Sequence, residues 1–252
     1  MSSINVYLSR LILDLGCRQV LSELAQPYEM HRTLMKAFPT VNETTEPRAH
    51  FGVLFRAEVD ESKRIAKVYV QSNVQPDWSF LCVMNSYLVW DRSEPPYECK
   101  DITKALQSLR VGQTVAFKLR ANPTKRLARD GDPLKGKRVA LLKEEDQIEW
   151  LQGKGRGDGK EAAGGFELVT DSVMSEHGES RTVPRVRARV EGNILGKKKG
   201  SEGRHLTTHF SVLFEGLLRI TDPDVFLDTV RRGIGPGKAY GFGLLSLGPA
   251  RS

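Results

Sequence analysis

The sequence is poor in the residues that build disulfide frameworks and most small metal centres. Its 252 residues include only three cysteines and five histidines. Cys17, Cys82 and Cys99 are odd in number and far apart, which predicts free, buried or half-buried thiols in a reducing compartment. The histidines lack ligand spacing, except that His205 and His209 are four apart in a segment interpreted as a loop entering a strand. We therefore predict no metal site and no cofactor.

Long apolar runs are also missing. No run approaches the roughly 20 residues that cross a bilayer, and the N-terminus has no basic stretch followed by an apolar core. The hydrophobic fraction of 39% and the charged fraction of 27% are typical of a globular chain. We expect a cytoplasmic protein that does not contact a membrane.

The charge that is present favours a polyanionic partner. The formal net charge is +7, and a basic surplus of this kind often accompanies nucleic-acid binding. Two segments concentrate it. The first has arginines alternating along a predicted strand and lysines at a glycine-flanked tip: Arg185, Arg187, Arg189, Lys197, Lys198 and Lys199. The second surrounds two turn signals and includes Arg120, Lys125, Arg126, Lys137 and Arg138. Such residues supply affinity through phosphates rather than sequence choice, and a solvated charged face is the alternative.

The apolar periodicity predicts an α+β protein with two tandem ferredoxin-like (RRM-like) domains, residues 1–112 and 113–252. Each half approximates a β-α-β-β-α-β order. In the first half we predict strands at 4–13, 50–59, 66–74 and 97–102, helices at 18–24, 27–38 and 103–109, and an irregular stretch within 76–98. In the second half we predict strands at 113–120, 138–142, 166–169, 186–190, 209–220 and 241–247, helices at 143–151 and 222–232, and a glycine-rich loop at 153–165. Thr221 or Asp222 can cap the last helix.

The clearest candidate for chemistry is a tyrosine and a histidine near the start of the second predicted helix. Tyr28 and His31 are three apart, so they share one face of the helix, and Arg32 adds positive charge. The free N–H groups of that helix end favour a phosphate. An acid–base pair beside a phosphate is what RNA transesterification needs. The alternative is that Tyr-x-x-His is ordinary half-buried helix surface.

A glycine-rich stretch joins the last helix to the last strand. Gly233, Gly235 and Gly237 would let the backbone approach phosphates closely, and Lys238 adds charge. The stretch is neither a P-loop, because Ala239 follows the lysine, nor a Rossmann turn, because a helix precedes it.

Taken together, four blocks resemble the CasE family, the precursor-CRISPR-RNA endonucleases of type I-E Cascade. The blocks are 27–34 (PYEMHRTL), 119–125 (LRANPTK) followed by 136–141 (GKRVAL), 214–216 (FEG) and 233–243 (GIGPGKAYGFG). Their order and spacing agree with the family from about residue 4 to residue 247.

The resemblance implies tandem ferredoxin-like domains and metal-free cleavage of CRISPR repeat RNA at the 3′ base of its hairpin, leaving 2′,3′-cyclic phosphate and 5′-hydroxyl ends. It implies that Tyr28 and His31 are the catalytic pair and Lys36 an assisting lysine. The segment from Lys197 to Lys199 would lie on a hairpin that enters the RNA groove near the cut. The expected partners are the repeat stem-loop and the other Cascade subunits, with which the enzyme stays after cleavage.

The residues by themselves are compatible with other functions. A non-catalytic RNA-binding subunit would share every basic segment and differ only at Tyr28 and His31. A small-molecule enzyme would need a closed apolar pocket, and the dispersed basic segments disfavour it. A metal-dependent nuclease would need clustered carboxylates, whereas residues 144–146 are acidic at a predicted helix start, where such charge is ordinary.

Overall fold

The computed structural model describes residues 5–40, 50–91, 93–127, 136–158, 164–174, 180–200 and 203–250. For residues 197–200 and 203–206 it describes the backbone but not the side chains. Within these ranges, no helix is long and apolar enough to cross a membrane.

The first half builds a four-stranded antiparallel sheet. Its strands are β1 (Tyr7–Asp14), β2 (Leu54–Asp60), β3 (Ile65–Ser72) and β4 (Tyr97–Asp101), in the spatial order β2-β3-β1-β4. Two helices, α1 (Arg18–Ala25) and α2 (Pro27–Met35), connect β1 to β2, and α3 (Thr103–Gln107) follows β4. Inward-facing residues of β1 and β3, such as Leu11, Leu13 and Val68, form one core with α2. The sheet therefore supports α2 from one side.

The second half builds a larger antiparallel sheet around β5 and β12. Its main strands are β5 (Thr114–Ala121), β11 (Val186–Gly200), β12 (Gly203–Ile220) and β13 (Leu245–Pro249), in the order β11-β12-β5-β13, with β8 (Phe166–Leu168) beside β12. Its helices are α4 (Glu144–Arg156) and α5 (Pro223–Arg232). Two small hairpins are added, β6 (Thr124–Arg126) with β7 (Arg138–Ala140), and β9 (Thr170–Met174) with β10 (Ser180–Pro184). The main strands and helices pack into a second core.

The structure corrects the first half in its third quarter. Between β3 and β4 the chain forms only a 3₁₀ turn, Ser79–Val83, where a regular β-α-β-β-α-β unit has its second helix. The short helix α3 comes after β4, and its Leu106 packs on the core of the second half. The first strand of the hairpin begins at Leu54 rather than at residue 50.

The second half also differs from prediction at several boundaries. Helix α4 continues to Arg156, into the segment predicted as a loop, and Gly157 ends it in the left-handed conformation. The predicted strands at 186–190 and 209–220 are parts of one long hairpin, β11–β12, so His205 lies in a strand and not in a loop, whereas His209 lies in a strand as predicted. The last strand begins only at Leu245, because Gly241 and Gly243 have positive φ (+82° and +91°), which interrupts an extended strand there. The hairpin β9–β10 was not predicted.

The three cysteines are free, as predicted. Cys17 and Cys99 are half-buried, whereas Cys82 is exposed, which corrects the expectation of burial for that residue.

The two sheets meet at a junction made largely of polar groups. Arg56 of β2 is only 3% exposed, and its Nη1 donates to Lys118 O (3.3 Å), Leu244 O (3.4 Å) and Ser246 Oγ (3.0 Å) in the second half. Its Nε donates to Glu58 Oε1 at 2.9 Å. A buried guanidinium is tolerable only when its donors are satisfied. These bonds therefore require the two halves to be docked in one arrangement.

The N-cap of helix α5 can be tested directly. The sequence allowed either Thr221 or Asp222, and the structure shows Asp222 in this position. Asp222 accepts hydrogen bonds from the amides of Asp224 and Val225, both at 3.1 Å. We expect Asp222→Ala to lower the free energy of unfolding by about 1 kcal/mol, measured by urea denaturation. Thr221→Ala is the matched control and should leave stability nearly unchanged. If Thr221→Ala is the more destabilising variant, the assignment of the cap is wrong.

Candidate active site and nucleic-acid interface

Helix α2 is held in place by a buried carboxylate. Pro27 occupies its first turn, and Met30 and Leu34 point into the first core. On the same helix, Thr33 Oγ1 donates to Glu23 Oε1 at 2.7 Å. Glu23, on α1, is 4% exposed and also accepts from the Tyr87 hydroxyl. Apolar packing and this hydrogen bond together set the rotation of α2.

That rotation brings Tyr28 and His31 to the same side of the helix. Their ring centroids are 6.3 Å apart. His31 is 7% exposed and stacks on Phe55 of β2 at 6.2 Å, whereas Tyr28 is half-buried. The expectation that the two side chains share a face is confirmed, and packing against Phe55 restricts the orientation of the imidazole.

The second half adds aromatic groups that the sequence did not single out. The ring of Tyr240 lies 5.7 Å from that of Tyr28, and the ring of His209 lies 4.4 Å from that of Tyr240. His31, Tyr28, Tyr240 and His209 therefore form a continuous row of rings across the junction. Tyr240 lies in the glycine-rich stretch, which was noted for its glycines and its lysine. The signal that could have found it is an aromatic residue between glycines in a block already matched to a family.

His209, at the far end of this row, is partly buried. Burial lowers the pKa of His209 below its usual value, so the ring is neutral near neutral pH. Asn122 Nδ2 lies 3.1 Å from its Nδ1, and Thr207 Oγ1 lies 3.3 Å from its Nε2. If the amide donates to Nδ1, the ring proton is on Nε2 and points to Thr207. The sequence placed His209 at the start of a strand, but spacing within that strand does not reveal its neighbours Asn122 and Tyr240.

The two cations expected beside Tyr28 and His31 lie at other positions around α2. Lys36 is the exposed C-cap of α2, five residues after His31, which corresponds to about 7.5 Å along the axis and about 140° around it. Arg32 is exposed and pairs with Glu29 at 2.9 Å on the same helix. Any action of these side chains on a phosphate at Tyr28 and His31 therefore requires them to extend around the helix.

The glycines of the 233–243 stretch serve internal packing. A Cβ on Gly233 would lie 2.7 Å from Leu54 Cδ1 and 2.8 Å from Gly243 O, and Gly233 has φ +71°. A Cβ on Gly235 would lie 3.0 Å from the Trp150 ring, and one on Gly237 would lie 2.9 Å from Phe242. Lys238 Nζ donates to Gly235 O at 2.9 Å. These glycines let the stretch fit closely against both halves. Internal packing therefore explains their presence without the predicted approach to phosphate.

Arg120 is likewise engaged within the protein. Its guanidinium donates to Glu191 Oε2 at 2.6 Å and Oε1 at 3.0 Å, and to Ala57 O of the first half at 2.8 Å. Glu191 also accepts from Ser211 Oγ at 2.8 Å. Glu191 sits at a β-bulge, where the register of β11 on β12 shifts between Val190 and Gly192. The bulge turns the carboxylate toward Arg120, in the wall of a cleft of about 260 Å³ between the halves.

The other members of the second basic segment are exposed on the β6–β7 hairpin or next to it. Lys125 and Arg126 pair with Val139 and Arg138 across this hairpin, and Lys137 directly precedes β7. Their shared exposure makes one basic surface, defined as Lys125, Arg126, Lys137 and Arg138.

The first basic segment runs along strand β11 of the long hairpin. Helix α2 packs against β11. Arg187 and Arg189 are exposed, while Val186 and Ala188 between them pack on the second core, so the predicted alternation is confirmed. Lys197, Lys198 and Lys199 pair in register with Leu206, His205 and Arg204 close to the turn. Their backbones are placed at the hairpin tip as expected, whereas their side chains lie outside the described part of the structure.

Among the residues that the structure describes, no group of three or more His, Cys, Asp or Glu side chains is arranged to hold a metal ion.

Comparison with known proteins decides the family. A model of the family described as "CRISPR associated protein" matches residues 6–249. The CRISPR-associated endoribonuclease Cse3 of Thermus thermophilus is 35% identical over 97% of this chain and 100% of its own length. The chain belongs to the CasE/Cse3 family of CRISPR-associated proteins.

Two further relatives agree with this assignment. The CRISPR system Cascade subunit CasE of Escherichia coli is 29% identical, again over 97% of this chain and 100% of its own length. A structure of Thermus thermophilus Cse3 bound to an RNA that represents a pre-cleavage complex matches with a TM-score of 0.70 at 34% identity, over 97% of this chain and 100% of that one. The CasE/Cse3 resemblance of the four sequence blocks is thus confirmed, and so is the mixed α+β architecture.

The Arg120–Glu191 pair leads to a pH-dependent prediction. Burial alone would raise the pKa of Glu191, but the hydrogen bond and charge of Arg120 outweigh it and lower the pKa. A carboxyl whose pKa is lower in the folded chain stabilises the fold above its unfolded pKa of about 4.3, and this stabilisation is lost as the pH falls through the folded-state value. We expect Glu191→Gln to cost about 1–3 kcal/mol at neutral pH.

The measurement is urea unfolding of wild type and Glu191→Gln at neutral pH and at a series of acidic values. The difference between the two proteins should shrink as the pH falls. Glu215→Gln removes a more exposed partner of Lys118 and is the matched control, with a smaller cost. A constant difference at all pH values would contradict the proposed linkage.

Proposed function

We propose that this protein is a metal-independent endoribonuclease that binds the stem-loop of CRISPR repeat RNA, cuts at its 3′ base and stays with the product as a Cascade subunit. The observation that carries the proposal is the Tyr28–His31 pair, held on α2, which packs against strand β11 of the arginine-bearing hairpin β11–β12. Support comes from the relatives, which are named as an endoribonuclease and as a Cascade subunit, and from the RNA-bound structure of one of them.

The chemistry we propose is transesterification by the RNA's own 2′-hydroxyl. One member of the Tyr28–His31 pair removes the 2′-hydroxyl proton, and the 2′-oxygen attacks the adjacent phosphorus. The bond from phosphorus to the 5′-oxygen then breaks, and the other member protonates that oxygen. The products are a 2′,3′-cyclic phosphate and a 5′-hydroxyl. The nucleophile belongs to the substrate, so the step can proceed on proton transfer and on stabilisation of the phosphorane charge by fixed donors and cations.

We assign stabilisation of the phosphorane charge to Lys36, at the end of α2, and to Arg32, within α2. Their exposure allows them to turn toward a bound phosphate, and Arg32 would have to leave Glu29, from which it is 2.9 Å away. An exposed pair of this kind contributes about 0–1 kcal/mol, so a phosphate can displace it.

We infer that the two halves are tandem ferredoxin-like domains. The spatial order β2-β3-β1-β4, and its counterpart β11-β12-β5-β13, follow the strand order of that fold. The second half has both helices in their places, while the first half has the 3₁₀ turn Ser79–Val83 instead of the second. We place the boundary between residues 112 and 113, with α3 as a connector that packs on the second domain.

We propose two RNA-contacting surfaces for phosphates. The hairpin surface comprises Arg187, Arg189, Lys197, Lys198 and Lys199, and the second is the basic surface on and beside β6–β7. Arg120 is committed to Glu191, and the stretch that contains Gly233, Gly235, Gly237 and Lys238 packs on the protein, so their contribution to RNA binding is expected to be indirect. These surfaces account for affinity, and the preferred repeat must be selected by contacts to bases.

The catalytic assignment is tested with a labelled repeat hairpin in excess EDTA. Wild type should cut once at the 3′ base of the hairpin. His31→Ala should slow cleavage by about 10²–10⁴-fold, because a proton-transfer group is lost, while hairpin affinity stays nearly constant. His50→Ala, at an exposed histidine away from α2, is the matched control and should cut like wild type.

The outcomes separate the candidate functions. Undiminished cleavage by His31→Ala would exclude the mechanism. Tight binding by wild type without cleavage would make the protein a non-catalytic RNA-binding subunit. If wild type neither binds nor cleaves the hairpin, the proposal is rejected.

The hairpin surface is tested by changing Lys197, Lys198 and Lys199 together to Ala. Three lost phosphate contacts should weaken binding and reduce the slope of log affinity against log salt by about two to three. The control is the triple change of Lys63, Lys100 and Lys104, exposed lysines of the first half. If the dissociation constant of the hairpin variant equals that of wild type across the salt titration, these lysines do not contact the RNA.

A further inference from the structure

Tyr240 touches three separate parts of the molecule at the candidate active site. Its ring lies 5.7 Å from Tyr28 on α2 and 4.4 Å from His209 on β12. It also lies against Gly196 on β11, where an added Cβ would be 2.5 Å from Tyr240 Cε1 and 2.8 Å from Cζ. Tyr240 is only 9% exposed. The ring is therefore enclosed between the helix that carries the catalytic pair and both strands of the long hairpin.

The backbone on either side holds this ring firmly in position. Gly237 and Gly241 flank the 3₁₀ turn at residues 238–240 and have φ of +84° and +82°, values that glycine adopts without strain. Tyr240 N donates to Gly237 O at 2.8 Å. A Cβ on Gly241 would lie 3.3 Å from Phe55, the residue on which His31 stacks. The turn is thus packed on the same β2 residue that orients the histidine.

Gly196 completes the enclosure from the hairpin side. It is buried, and a Cβ there would also lie 2.4 Å from Thr207 Oγ1. No side chain fits between the hairpin and the Tyr240 ring without displacing one of them. The position of β11 at this point and the position of the ring are therefore linked by direct contact.

We infer that Tyr240 is a positioning residue, which holds the Tyr28 ring in place beside hairpin β11–β12 near Gly196 and thereby keeps it in reach of the scissile nucleotide. This inference rests on the proposed endoribonuclease function and assigns no proton to Tyr240. Tyr28 is half-buried, and the Tyr240 ring covers one of its sides. Removing that ring opens other rotamers to Tyr28, and misplacement of a catalytic group by about 1 Å can cost about 10²-fold in rate.

The experiment measures single-turnover cleavage at saturating enzyme, together with the dissociation constant and the fraction of protein able to bind the hairpin. Tyr240→Ala should cut about 10²-fold more slowly per active molecule while its dissociation constant stays near that of wild type. Tyr240→Phe retains the ring and should cut at close to the wild-type rate. Tyr97→Ala, at a half-buried tyrosine of β4 that belongs to none of the contacts of Tyr240, is the matched control for loss of a tyrosine ring and should leave the rate unchanged.

A double-mutant cycle separates positioning through Tyr28 from an independent role. Residues that act as one unit have non-additive effects. If Tyr240 acts through Tyr28, adding Tyr240→Ala to Tyr28→Ala should slow cleavage little beyond Tyr28→Ala alone. Multiplication of the two single effects would overturn the inference, as would a loss in Tyr240→Phe equal to that in Tyr240→Ala.

The hairpin side is tested independently with Gly196→Ala. The added methyl group should displace the ring or the strand and lower the cleavage rate in the same direction as Tyr240→Ala. A wild-type rate in both Gly196→Ala and Tyr240→Ala would refute the inference while wild-type cleavage still supports the proposed function. If wild type itself does not cut, it is the proposed function that fails.

Discussion

The arrangement of this protein depends on a buried cation that neither half can satisfy alone. The Arg56 guanidinium comes from the first sheet, and three of its acceptors come from β5, the 241–244 segment and β13 of the second half. Leaving these donors unpaired in the interior would cost several kcal/mol. Because the sheets cannot separate or shift without leaving the Arg56 donors unpaired, this cost favours one specific docking arrangement. That docking brings α2 next to the 3₁₀ turn at residues 238–240 and next to strand β11 of the hairpin.

The candidate active site is a consequence of this docking. His31 and Tyr28 come from one helix, but the surfaces that restrict their rings come from β2 on one side and from Tyr240 on the other. A site assembled from both halves can align the proposed catalytic pair with the proposed RNA-contacting hairpin only if the junction is rigid. The Arg120–Glu191 pair and its bond to Ala57 O strengthen the same junction. The polar contacts between the halves thus serve the geometry of the site.

Much of the fold follows from local patterns. Alternating apolar residues located β1, β3 and β5 to within a few residues, and Pro27 and Pro223 marked the starts of α2 and α5. The irregular stretch between β3 and β4 was also predicted, because it lacks apolar periodicity, and its described residues include a 3₁₀ turn. The failures have physical causes. The outer parts of β11 and β12 are rich in glycine and charge, and they pair because each strand provides the other with backbone partners, which no single segment reveals. Glycines within α4 were mistaken for a loop, although Gly155 is buried against Phe166.

The sequence by itself determined the family, the pairing of Tyr28 with His31 on one helix face, and the alternation of arginines along a strand, because each of these depends on spacing within one element. Only the tertiary structure decided which residues surround that pair. His209 and Tyr240 lie far from Tyr28 in the chain, and the docking of two sheets brings them together. The same docking commits Arg120 to Glu191 and turns the glycines near residue 235 to internal packing. Contacts between distant segments depend on how whole surfaces fit, and spacing along the chain carries no record of that fit.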